Sequence, residues 1–336
     1  MTKGSIVGFC MLAPLLASAI PTAAHADGTT GAAVDLRAVP VPALESLGHD
    51  VDDDLIRYGH DLFQHTYRFI GPEVADAEMR YAGNNLACGN CHLDAGTKPF
   101  AMPMIGIDRL FPTYRARENK VNTLEERIDG CMERSMNGRT LPRQSREMRA
   151  LTAYIAFLGR SIPAAVKAPE AKIEGTGLPP LPLLDRAANP DRGRTIYRDV
   201  CATCHGPHGE GQRNGVIGDA QGYKYPPLWG DDSFNDGAAS TRLLTMARFV
   251  HANMPRDKAS PDKPVLSVEH ATDVSAFVIL HPRPHRDKLE EDFPLGWNKP
   301  VDAAFPPFAD GADAQQHKYG PFGQLMEAMK KLAPKQ

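Results

Sequence analysis

The chain has 336 residues, 42% of them hydrophobic, and a formal charge of -3 at pH 7. This balance argues against a nucleic-acid binder, which would carry a strongly basic surface. After the N-terminal segment no apolar run is long enough to span a bilayer, so we expect no membrane span.

Residues 1–26, "MTKGSIVGFCMLAPLLASAIPTAAHA", predict a secretory signal peptide cleaved near Ala26 and a periplasmic mature protein. Lys3 precedes a short apolar run, and small residues surround the cleavage point. A transmembrane anchor is disfavoured because the run is short and is interrupted by Pro14. Loss of Lys3 changes the formal charge from -3 to -4, and loss of Cys10 leaves five of the six cysteines.

Two motifs of the form C-x-x-C-H account for four of those five cysteines. This spacing is typical of covalent haem c attachment: both thiols add to the haem vinyl groups, and the histidine is the proximal iron ligand. A redox dithiol needs no histidine after the second cysteine, and a zinc site would need further cysteine or histidine pairs. We therefore predict two covalently attached haem c groups. The residues are Cys88, Cys91 and His92 in "CGNCH", and Cys201, Cys204 and His205 in "CATCH".

Helical patterns precede and follow each motif. Aligning Gly59 with Gly193 matches apolar residues in the two upstream segments, and Asn189-Pro190 is a typical helix start. Downstream, "SREMRALTAYIAFLG" and "SVEHATDVSAFVIL" show apolar residues at helical spacing. The sequence thus predicts a mainly α fold with two class I cytochrome c domains, residues 27–160 and residues 189–285.

The remaining segments are predicted to be irregular. Residues 161–188 are rich in proline and glycine, which indicates a linker between the domains. Residues 286–336 contain many prolines and aromatic side chains but little periodicity. A disordered tail is the alternative, yet such tails contain few aromatic residues. We therefore expect an extended C-terminal arm packed over the domains.

The sixth iron ligand decides whether a haem carries electrons only or also does chemistry. For the second haem we predict Met254, followed by proline, with Met246 and His251 as rivals. Any single methionine is otherwise explained by core packing. Near the first haem, Met102 and Met104 lie only about ten residues after the motif, a short path to the opposite face of the ring.

Cys131 is the one mature cysteine outside the motifs. Arg127 precedes it by four residues, and Arg134 and Ser135 follow it by three and four, so a helix would place all of them on one face. Gly130 is a possible break in that helix. Positive groups favour the thiolate, and guanidinium groups suit sulfonate-like oxyanions; Arg117 is a further candidate. A buried hydrophobe, an intermolecular disulfide, an unreacted thiol and a solvated charged face remain alternatives.

Several segments resemble the dihaem thiosulfate dehydrogenases, which interconvert thiosulfate and tetrathionate. They are "LDAGTKPFAMP", "FPTYRARENKVNTLEERIDGCMERSMNG", "YPPLWGDDSFNDGA", "ANMP" and "HKYGPF". The resemblance implies His92 and Cys131 as axial ligands of the active-site haem, and His205 and Met254 as those of the second haem. It implies Arg117, Arg127 and Ser135 around the substrate, whereas Arg134 is added from charge geometry alone. Some family members carry a lysine where this chain has Asn253, so a ligand exchange there is not expected.

The resulting hypothesis is a periplasmic thiosulfate dehydrogenase that joins two thiosulfate ions into tetrathionate. Electrons would pass from haem 1 to haem 2 and on to a soluble acceptor, such as a small cytochrome c or a high-potential iron-sulfur protein. One alternative is a cytochrome that only transfers electrons. The other is a subunit resembling SoxA, which shares cysteine-ligated haem and acts on sulfur bound to a carrier protein.

Overall fold

The computed structural model describes residues 1–2 and 34–334, so the predicted signal peptide lies outside the described residues except for its first two. The described residues 34–334 pack as one unit. Helices dominate the described part, as the sequence predicts, and strands are short pairs. None of the described helices combines the length and the apolar character that a membrane crossing requires.

The first domain contains the helices that bracket its haem motif. Their starts are encoded locally: the side chain of Asp50 accepts from the Asp53 amide, and Thr123 and Glu126 form a capping box. Gly130 does not interrupt its helix. The elements are α1 (Val51–Gln64), α2 (Thr66–Ile70), the single turn α3 (Leu93–Gly96), α4 (Leu124–Arg134) and α5 (Arg146–Gly159).

The second domain repeats this arrangement. Asn189 caps the first helix, with Pro190 at its first position, which confirms the predicted helix start. A π-helical turn, Tyr197–Cys201, leads directly into the second haem motif. The elements are α6 (Pro190–Ile196), α7 (Ala202–His205), α8 (Leu243–Asn253) and α9 (Val268–Leu280).

Each domain is held together by a close crossing of its first and last helices. In the first domain α1 crosses α5 at Gly59, where a Cβ atom would lie only 2.1 Å from the Ala150 carbonyl oxygen. In the second domain α6 crosses α9 at Gly193, where a Cβ would lie 2.0 Å from the Asp273 carbonyl oxygen. Only glycine permits such an approach. The predicted equivalence of Gly59 and Gly193 is therefore confirmed by packing.

Three pairs of short strands tie loops together. The strands are β1 (Val34–Asp35), β2 (Thr113–Arg115), β3 (Lys120–Asn122), β4 (Ile173–Glu174), β5 (Gln212–Arg213) and β6 (Tyr223–Tyr225). The pairs β2–β3 and β5–β6 are antiparallel hairpins, whereas β1 pairs with β4 in parallel. The parallel pair joins the segment that begins at Val34 to the predicted linker.

The first part of the linker is not a free tether. Ile162, Val166 and Ile173 are buried in the core of the first domain. Proline and glycine prevent a long helix here, but the apolar side chains between them still pack. The predicted linker therefore begins as part of the first domain.

The C-terminal arm differs from the extended segment that we expected. It contains α10 (Ala314–Tyr319) and α11 (Phe322–Leu332). Phe322 and Leu325, on one face of α11, pack against Leu243 and Ile279 of the second domain. The arm is thus partly helical rather than extended, because α11 has an apolar face to bury.

Candidate active site

The first haem motif presents its histidine in a fixed orientation. Cys88 begins a tight helical turn that ends just before Cys91, and His92 follows. The Nδ1–H of His92 donates to the Met102 carbonyl oxygen at 2.6 Å. This bond orients the imidazole and leaves Nε2 as the available ligand atom. Met102 thus supports the proximal histidine through its backbone.

Cys131 on α4 faces this histidine. A guanidinium nitrogen of Arg127 donates to the Cys131 sulfur at 2.8 Å, and the His92 imidazole is near enough to influence the pKa of the same thiol. Burial raises the pKa of the Cys131 thiol, but the charge of Arg127 and the bond with His92 outweigh it and lower the pKa to about 6. The lowered pKa favours the thiolate, the form that binds iron and attacks sulfur.

The residues at this site fit a haem c group. Cys88, Cys91 and Cys131 are all free and only partly exposed. Burial raises the pKa of Cys88 to about 12 and that of Cys91 to about 11, and in both cases the nearby charge of Cys131 adds to the effect. One site thus contains two thiols that can form thioether bonds, an imidazole and a thiolate. This donor set suits a haem attached through two cysteines, with histidine and cysteine as axial ligands.

Arg117 and Arg134 converge on a buried carboxylate of the arm. Arg117 donates to Asp292 Oδ2 at 2.5 Å, and Arg134 donates to Asp292 Oδ1 at 2.7 Å. All three side chains are largely buried. A polar cleft of about 400 Å³ lies against this group. The structure therefore brings Arg117 and Arg134 together at Asp292, whereas Arg127 lies at the Cys131 sulfur.

Ser135 ends α4 beside these groups. It is the residue that follows the last helical position, and its carbonyl oxygen accepts from the Asn84 side chain at 2.9 Å. Its hydroxyl makes no hydrogen bond to any residue that the structure describes. The predicted role of Ser135 at the substrate stays a prediction.

Sequence reasoning missed Arg115 and Glu118. Arg115 ends β2, and burial lowers the pKa of its guanidinium, as does the neighbouring charge of Arg127, whereas Glu118 and Cys131 raise it. Arg115 is thus one more cation near the Cys131 sulfur. The available signal was sequence proximity, because Arg115 stands two residues before Arg117.

The second haem motif has an equivalent proximal side. The Nδ1–H of His205 donates to the Pro226 carbonyl oxygen at 2.9 Å, so its Nε2 is also the available ligand atom. Cys201 and Cys204 are free and partly exposed. Two thiols and an oriented imidazole again suit a covalently attached haem. The π-helical turn before this motif has no counterpart before the first one.

Met254 directly follows α8 and is its C-terminal flanking residue. The rival Met246 is buried in the core of the second domain with Tyr197 and Phe277, which favours the packing role for it. Asn253 is fully buried, and its side-chain amide donates to the Phe100 carbonyl oxygen of the first domain at 3.1 Å. Met254 as the sixth ligand stays a prediction.

Family comparisons agree with this two-site arrangement. The family described as SoxA/TsdA, cytochrome c domain, matches residues 78–164. The family described as cytochrome c oxidase, cbb3-type, subunit III, matches residues 188–278. Each matched range contains one C-x-x-C-H motif and the helix that follows it.

Relatives match most of the chain. The thiosulfate dehydrogenase of Psychrobacter arcticus is 32% identical over 84% of this chain and 81% of its own length. That of Stutzerimonas stutzeri is 34% identical over 74% of each chain. The solved structure of thiosulfate dehydrogenase (TsdBA) from Marichromatium purpuratum, in its "as isolated" form, is similar with a TM-score of 0.64 and 33% identity, covering 74% of this chain and 50% of that one.

Proposed function

Because this chain belongs to the family of dihaem cytochrome c thiosulfate dehydrogenases, we propose that it oxidises thiosulfate to tetrathionate. Two thiosulfate dianions form one sulfur–sulfur bond and release two electrons, and no proton is exchanged. Each covalently bound haem group would accept one electron at a time. The reaction is reversible in principle, so the same site also serves tetrathionate reduction.

The observation that carries this proposal is the array Arg127–Cys131–His92. A cysteine that served only as a core residue would have no reason to lie between a guanidinium and the haem-ligating imidazole. Here the hydrogen bond from Arg127 at 2.8 Å keeps the Cys131 sulfur anionic. The thiolate is both a donor for iron and a nucleophile toward sulfur, which is the chemistry that thiosulfate coupling needs.

The cations around the thiolate reduce the electrostatic repulsion between the substrate anions and the sulfur. Two dianions must meet beside an anionic sulfur, and their repulsion opposes the reaction. Arg127 stands at the sulfur, and Arg115 lies nearby. Planar guanidinium groups bind sulfonate oxygens in a bidentate manner. We assign Arg127, together with Ser135 at the end of α4, to the first substrate sulfonate.

Arg117 and Arg134 add two further cations to the first domain. Their shared partner Asp292 neutralises only part of their charge, so the group Arg117–Arg134–Asp292 keeps one net positive charge. The carboxylate also holds the two guanidinium groups in place before substrate arrives. The positions of the two guanidinium groups are therefore preorganised.

The second domain provides the exit for electrons to an external acceptor. We assign His205 and Met254 as its iron ligands, since methionine ligation raises a haem potential relative to thiolate ligation. The acceptor is a small cytochrome c or a high-potential iron-sulfur protein. Export to the periplasm follows from the predicted signal peptide.

Reduction of the purified dihaem protein by thiosulfate tests the proposal. We expect both haem absorption spectra to show reduction in the absence of any other protein, and tetrathionate to form when an artificial electron acceptor is added. A cytochrome that only transfers electrons would not be reduced by thiosulfate. A SoxA-like subunit would require a carrier protein before any turnover.

A further inference from the structure

The C-terminal end of α4 is unusual because a residue of the second domain satisfies part of it. The last carbonyl groups of a helix have no partner within the helix. At the end of α4 the Cys131 carbonyl accepts from the Met136 amide, and that of Met132 accepts from Gly138. The next carbonyls along the chain, those of Glu133, Arg134 and Ser135, accept from asparagine residues.

Asn235, in the second domain, supplies two of these bonds. Its side-chain Nδ2 donates to the Glu133 carbonyl oxygen at 2.8 Å and to the Asn137 side chain at 3.0 Å. Its backbone amide donates to the Arg134 carbonyl oxygen at 3.2 Å. The Gly237 amide donates to Asn235 Oδ1 at 3.1 Å, which fixes the orientation of the side-chain amide.

Asn84, just before the first haem motif, completes the connection. Its Nδ2 donates both to the Ser135 carbonyl oxygen at 2.9 Å and to the Ser233 carbonyl oxygen at 3.1 Å. One amide thus joins the haem-binding loop, the end of α4 and the second domain. Asn84, Ser233 and Asn235 are all 2% exposed or less, so water does not compete for these bonds.

The same loop of the second domain is anchored on the first domain a few residues earlier. Asp232 Oδ1 accepts from the Asn85 backbone amide at 2.8 Å. Asp232 Oδ2 accepts from Arg213 at 2.9 Å and from the Tyr223 hydroxyl at 2.6 Å. The loop therefore has a fixed position when it reaches α4.

We infer that Asn235 is a positioning residue, and that it holds α4 so that the Cys131 sulfur lies opposite His92. Cys131 and Arg127 lie on α4, whereas His92 belongs to a different segment. The distance between the Cys131 sulfur and His92 therefore depends on the position of α4. Asn235 bonds the helix within one turn of Cys131. The geometry of the first site is consequently set by the docked second domain. This inference rests on the proposed role of Cys131 at haem 1.

The test is Asn235→Asp in the dihaem protein. The aspartate keeps the shape and the acceptor for Gly237 but removes the donor to Glu133. We expect the low-spin thiolate signal of ferric haem 1 in electron paramagnetic resonance to lose intensity or split into several forms, while the haem 2 signal is unchanged. We expect kcat/KM for thiosulfate to fall about tenfold or more.

Asn214→Asp is the control for the substitution itself, because the exposed Asn214 also donates through Nδ2 to a backbone carbonyl, that of Gln221 at 2.9 Å, but within the second domain. It should leave both haem signals and turnover unchanged. Asn235→Ser removes the donor without adding charge and is assayed in the same way if the aspartate variant does not fold.

A parental thiolate signal and parental turnover in the Asn235 variants would overturn the inference, as would the absence of a thiolate signal in the parent protein. Failure of the parent to oxidise thiosulfate would refute the proposed function alone, since the spectroscopic comparison still decides the role of Asn235.

Discussion

Arg127 and Cys131 stand one helical turn apart on α4, and a guanidinium nitrogen of the first lies 2.8 Å from the sulfur of the second. A helix places residues four apart on one face, so this pair is preformed before any substrate binds. The cation lowers the pKa of the thiol against the effect of burial. The pair is therefore the natural first target for mutation.

Arg127→Lys keeps a positive charge but loses the planar fork. We expect kcat/KM for thiosulfate to fall about 10- to 100-fold, because a lysine cannot bond the Cys131 sulfur and a substrate oxygen in the same geometry. Steady-state assays with an artificial acceptor measure this. Arg139→Lys, at an exposed arginine over Tyr81, is the control. Parental turnover of Arg127→Lys at every substrate concentration would show that the fork is not used.

Cys131→Gly should abolish catalysis while both haems remain attached, because Cys88, Cys91, Cys201 and Cys204 are untouched. We expect turnover to fall by about a thousandfold or more, since a nucleophile and an iron ligand are lost together. The low-spin thiolate signal of haem 1 should vanish from the electron paramagnetic resonance spectrum. A spectrum identical to that of the parent would mean that this thiol only packs.

Met254→Ala should lower the reduction potential of haem 2, because loss of a thioether ligand removes the stabilisation of the ferrous state. Potentiometric titration followed by absorption spectroscopy measures the shift. Thiosulfate binding should be unaffected, since the substrate site belongs to the first domain. Met246→Leu, in the core of the second domain, is the control. If Met246→Leu shifts the potential and Met254→Ala does not, the ligand assignment is wrong.

Asp292→Asn should destabilise the protein, because the buried Arg117 loses its carboxylate partner and Arg134 keeps only Glu133, at 3.8 Å. We expect the free energy of unfolding to fall by about 3 kcal/mol. Asp262→Asn, which removes an exposed partner of Arg37, should cost less than about 1 kcal/mol. Chemical denaturation of both variants measures the difference. Equal losses of unfolding free energy in the two variants would show that burial does not increase the contribution of the Asp292 ion pairs.

The ionisation of the Asp273 carboxyl makes the free energy of unfolding depend on pH. Burial raises the pKa of this carboxyl, but Arg186, the Asn189 amide and Arg192 outweigh burial, so its pKa in the folded protein is lowered. Its stabilising effect is therefore present above the unfolded pKa of about 3.9 and is lost as the pH falls through the folded value.

The Asp273→Asn variant should accordingly be less stable than the parent by about 2 to 3 kcal/mol at pH 7, and the difference should shrink below about pH 4. Urea unfolding at several pH values measures it. A difference that stays constant across this range would contradict the ion-pair explanation.

Local spacing allowed the sequence alone to predict the two haem motifs, the helices around them and the grouping of Arg127 with Cys131. Attachment of a haem depends on five consecutive residues, and a helix face depends on residues three and four apart. Asn189 and Pro190 predicted a helix start, since capping also involves only neighbouring residues. Likewise Gly59 and Gly193 could be aligned because each follows the same short pattern.

Tertiary structure alone decided which distant groups meet. Asp292 lies far along the chain from Arg117 and Arg134, and Asn235 is about a hundred residues from the helix end that it caps. No period or motif encodes such pairs, because they form only when the packed domains bring separate segments into contact. The helix α11 is different, because its stretch "QLMEAMKKL" is rich in good helix formers and so carries a local signal in the sequence. Only the tertiary structure decides where its apolar face packs, which is against Leu243 and Ile279.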